Sequence, residues 1–139
     1  MKVDKIIFDY EPGYFSSSIN LENINIAIDR NNIKYNEYYF DGDEDYQIES
    51  HLSHFNKSIK EDDFNNLAKL VEELLDIEND YEYYDSEITN ITIYYDDGSY
   101  HKVEVYCNLN KNDRLIPLVK YLEKLLTKEY LLPSMQYVD

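Results

Sequence analysis

Positive charge is scarce in this chain relative to negative. Thirteen lysines and arginines stand against twenty-nine aspartates and glutamates, a formal net charge of −16 over 139 residues. A field of that sign argues against binding nucleic acid, whose duplex carries one phosphate charge per ~1.7 Å. It also argues against anionic membrane surfaces. The single cysteine, Cys107, has no partner in the chain, which excludes an internal disulfide and fits a reducing compartment. Three scattered glycines cannot form a phosphate-cradling loop. No apolar run approaches the ~20 residues of a membrane helix, and the opening MKVDKIIFDYEP lacks the apolar stretch of a signal peptide. These absences predict a soluble, unexported, cytoplasmic protein. No nucleophile signature surrounds Cys107 or any serine, so the chain does not read as an enzyme, and no cofactor is expected.

What is present is enough apolar sequence, in periodic blocks, for one domain spanning residues 1–139. Its clearest element is the stretch from Ile88 to Cys107, which reads as a β-hairpin. A two-residue Asp97-Gly98 turn would set Ile91 and Ile93 opposite Glu104 and Lys102, mixing an apolar face with a charged one. A three-residue loop, Asp96-Asp97-Gly98, instead groups Ile91, Ile93 and Tyr95 with Val103, His101 and Ser99, and Val105 and Cys107 continue that face. The same loop places Gly98 where a left-handed bulge residue is needed. His101 then falls on the packed face and reads as a core histidine. Thr92, Tyr94, Tyr100, Lys102, Glu104 and Tyr106 fall on the opposite face.

Three further strands are expected in the first block, Val3–Tyr10, Asn23–Ile28 and Ile33–Phe40. Pairing Ile28 with Ile33 puts Ile26 opposite Tyr35, a consistent apolar face, and Ile24 opposite Glu37, a poor pair. The following DGDEDYQIESHLSHFNK reads as a polar connector. A helix over Ser58–Ile77 is signalled by Phe64, Leu67, Ala68, Val71, Leu74 and Leu75 at helical spacing, with Ser58 and Glu61 as a capping box. Asp62 and Asp63 suit its first turn. A second helix carries Leu115, Leu118, Val119, Leu122, Leu125 and Leu126, with Pro117 tolerable in the first turn. The order βββ-α-ββ-α predicts an α+β fold: an antiparallel sheet of about five strands with two helices packed on one face.

Charge is uneven along the chain. Residues 1–101 hold seven bases and twenty-four acids, net −17, whereas 102–139 hold six and five, net +1. From Leu70 to His101 there are ten acids and no Lys or Arg, and from Tyr35 to Asn56 six acids and again no base. These two segments contain ten of the sixteen tyrosines. Clustered carboxylates steer basic partners, and tyrosine offers large contact area at low rotamer cost. A merely solvated surface needs the acids but has no need of the tyrosines. The expected partner is therefore a basic protein, and the expected contact residues are Asp43, Glu44, Asp45, Tyr46, Asp80, Tyr81, Tyr83 and Tyr84.

Two metal readings compete with this. Asp41, Asp43 and Asp45 supply the D-x-D-x-D opening of a calcium loop, but Tyr46 stands where the sharp turn wants glycine and Leu52 where a bidentate glutamate belongs. A calcium-binding module on the Asp41 loop remains the alternative of another class. His51 and His54 beside Glu49 lack any zinc-site context and read as loop histidines.

In size, acidity and segments such as DGDEDYQIE and ENDYEYYDSE, the chain resembles the small acidic immunity proteins that bacteria encode beside polymorphic or contact-dependent toxins. That resemblance implies an inhibitor that binds a cognate basic toxin, commonly a nuclease, and blocks its active site or substrate path. Phage-encoded anti-CRISPR proteins, acting as DNA mimics on nucleic-acid-binding effectors, look similar by the same criteria.

Overall fold

The computed structural model describes residues 2–11, 21–41, 48–75, 88–105 and 115–126. Six strands and two helices follow one another as β1 (Val3–Glu11), β2 (Leu21–Asp29), β3 (Asn32–Asp41), β4 (Ile48–Ser58), α1 (Glu61–Glu72), β5 (Ile88–Tyr95), β6 (Tyr100–Val105) and α2 (Ile116–Leu125). The strands form one antiparallel sheet in the order β4-β3-β2-β1-β5-β6. Four consecutive strands make a meander, and β5 then returns to the free edge of β1.

Alternation decides which face is buried. Ile6 and Phe8 on β1 lie opposite Ile28 and Ile26 on one side and Ile93 and Ile91 on the other. Ile33 and Tyr35 extend the apolar layer onto β3, and Val103 and Val105 onto β6. Phe64, Leu67 and Val71 of α1 and Leu118, Val119 and Leu122 of α2 close over this layer to form a single core. Among the described residues no element covers the opposite face.

The expected registers hold. Ile91 faces Val103 and Ile93 faces His101, while the Tyr95 N–H donates to the Ser99 carbonyl (2.9 Å) around Gly98, whose φ is +88°. Ile28 faces Ile33 and Ile26 faces Tyr35 across a turn in which Asp29 Oδ1 accepts the N–H groups of Asn31 (2.8 Å) and Asn32 (2.7 Å). The poor pair of Ile24 with Glu37 is also present, with a reason: the Glu37 carboxylate accepts the hydroxyl of buried Tyr35.

Four expectations fail. The polar connector is in fact strand β4, which brings the expected antiparallel sheet of about five strands to six. Phe55, opposite Tyr35, is the β4 ring packed against the core, and Lys57, opposite Ile33, reaches the carbonyl of Leu125 at the end of α2 (2.8 Å). His51 and His54 consequently belong to a strand rather than a loop. Ser58 is still paired with Asn32 in the ladder and cannot cap α1; Lys60 occupies that position with no side-chain cap, and the helix is shorter than Ser58–Ile77. His101 holds the expected register but is exposed, because it lies on the outermost strand beside the turn. Tyr106 and Cys107 lie outside the described residues.

Candidate protein-binding surface

Antiparallel folding gives the sheet two ends of different character. At one end Glu11 pairs with Ile88 and Asp41 with Ile48. At the other lie the tight turns Arg30-Asn31 and Asp96-Asp97-Gly98. Near the first end the described strand positions hold Asp9, Glu11, Glu22, Glu37, Asp41, Glu49 and Glu104, with Lys102 Nζ 3.9 Å from the Glu104 carboxylate. Around the turns stand Lys2, Lys5, Arg30, Lys34, Lys57, Lys60 and Lys102, mixed with Asp4, Asp29, Asp96 and Asp97. The linear order gives only the base-free run that holds Glu37, Asp41 and Glu49; it does not join Asp9, Glu11, Glu22 and Glu104 to them. The strand reversals do.

The bases of the turn end are partly committed to structure. Arg30 donates from Nη2 to the Val3 carbonyl (2.8 Å), lies 5.2 Å from the Phe64 ring centroid and stands 4.0 Å from Glu61. Lys57 Nζ donates to the Leu125 carbonyl (2.8 Å), and the backbone of Lys2 exchanges bonds with Asp96, its N–H donating to Asp96 Oδ1 (3.1 Å) and its carbonyl accepting the Asp96 N–H (2.9 Å). Asp97 accepts both the hydroxyl and the N–H of Ser99, and these bonds hold its carboxyl below the usual carboxylate range. At the acid end, acidic positions lie on neighbouring strands about 4.8 Å apart, and Asp9, Glu37 and Glu104 meet Asn23 Nδ2 (3.0 Å), the Tyr35 hydroxyl and Lys102 Nζ (3.9 Å) respectively.

All eight expected contact residues, Asp43, Glu44, Asp45, Tyr46, Asp80, Tyr81, Tyr83 and Tyr84, lie outside the described residues. Their described flanks, Asp41 and Ile48 for the first group and Ile88 for the second, are at the acid end. Strands β4 and β5 are four steps apart in the sheet, roughly 19 Å at ordinary strand spacing.

The tyrosines of the base-free segments divide by face. Tyr35 is buried at 1% exposure, and Tyr95 packs against the core, which raises its hydroxyl pKa chiefly through burial and then through the charges of Glu72 and Asp97. Tyr94 (37% exposed) and Tyr100 (66%) face outward as a cross-strand pair with ring centroids 6.0 Å apart. They are the exposed large apolar side chains among the described residues, and they lie at the turn end, away from the acid end. Counting tyrosines along the chain therefore merged core rings with surface rings. Strand alternation separates them as expected from sequence, with Tyr95 on the face of Ile91 and Ile93 and Tyr94 and Tyr100 on the opposite one.

Among the described residues no three His, Cys, Asp or Glu side chains come together as a metal site, and no helix is long and apolar enough to cross a membrane. Comparison of the chain with protein-family models, with curated proteins and with solved structures finds no match in any of the three.

Proposed function

We propose that this protein is a small cytoplasmic protein-binding inhibitor that neutralises a basic partner by direct contact, in the manner of an immunity protein acting on a cognate toxin. One observation supports the reading: among the described strand positions the acids concentrate at one end of the sheet, with Lys102 beside Glu104, while the other strand bases lie toward the turns. A fold that only had to stay soluble would gain from interspersed signs, which lower self-repulsion. Segregation raises repulsion in the free protein and gives a directional field that accelerates encounter with a positive surface.

Affinity capture from the native host, followed by identification of the bound protein and titration of its activity, tests the proposal. The expected result is a basic protein inhibited at a fixed stoichiometry, through a complex that weakens with salt and with reversal of Glu11, Asp43 and Asp80 to lysine. A complex indifferent to both salt and reversal overturns it. Capture of a nucleic-acid-binding CRISPR effector in place of a toxin would assign the same surface to phage antagonism. Saturable thermal stabilisation by calcium, lost in Asp43→Asn, would replace the inhibitor reading with a metal module on the Asp41 loop.

A further inference from the structure

We draw no further inference here: the strongest candidate, the exposed Tyr94 and Tyr100 pair at the turn end of the uncovered sheet face, carries nothing because nothing among the described residues shows what covers it.

Discussion

At Asp97 one carboxylate organises the β5–β6 turn, accepting the Ser99 hydroxyl and N–H while Gly98 takes the left-handed conformation. Both bonds favour the charged form, the hydroxyl's foremost, so the folded-state pKa lies below the ordinary value. The sign follows: whatever stability this carboxylate contributes is present above its unfolded pKa and is lost as pH falls through the depressed folded value. Ser99→Ala should raise the Asp97 pKa towards its ordinary value in a carbon-detected NMR titration; an unmoved pKa would mean the shift has another origin. A methyl group on the neighbouring Gly98 would meet nothing within 4 Å, so crowding is not what excludes a side chain there. Its positive φ still is a cost for any L-residue, and Gly98→Ala should destabilise by about 1 kcal/mol, read as a lower urea midpoint at constant m.

Between elements, the two helices meet through both an apolar seam and a polar bridge. Tyr121 donates its hydroxyl to Asp63 Oδ1 (3.0 Å) and accepts from Asn66 Nδ2 (3.2 Å). Burial is the first cause of its raised pKa; the Asp63 bond adds to the rise and the Asn66 bond opposes it. Folding thus favours the neutral phenol, an advantage fully present below the ordinary value of 10.0 and lost as pH rises through the folded pKa. Magnitudes rank the two contributions. Tyr121→Phe removes partly solvated hydrogen bonds and should cost no more than about 1 kcal/mol, whereas Leu122→Ala opens a fully buried site and should cost ~2–5 kcal/mol. Chemical denaturation of the two variants checks the order; equal losses would assign the polar bridge a larger share of the helix packing than its exposure allows. The Lys57 bond to the Leu125 carbonyl adds a cation at the C-terminus of α2, where the helix dipole favours one.

For the whole molecule, charge segregation predicts opposite responses to salt. Acidic positions on adjacent strands lie closer than the ~8 Å Debye length at physiological ionic strength, so screening relieves part of their repulsion. Melting temperature should therefore rise between low and physiological salt, while the association rate with a basic partner should fall as steering weakens. Glu11→Lys, placed within the acid end, should raise the low-salt melting temperature and flatten its salt dependence. Flat responses in both experiments would show that the acids are already neutralised in the folded chain.

Local periodicity was enough to establish the β5–β6 and β2–β3 registers, the buried stripes of both helices and the α+β class, because alternation of two and spacing of 3.6 are properties of short segments. Strand β4 escaped that test. It brings one aromatic to the core, Phe55, and is held as an edge strand by the ladder of β3, a partner that its own residues do not announce. The same ladder keeps Ser58 extended and so removes the expected helix cap. Asp9 and Glu104 carry no common signal in sequence, being drawn from two separate strands. They come within two strands of each other because β5 docks beside β1, and the acid end exists because successive strands reverse direction and bring distant carboxylates to one side. Periodicity is a property of single segments; adjacency between segments is set by strand order, which the burial of one shared apolar layer decides.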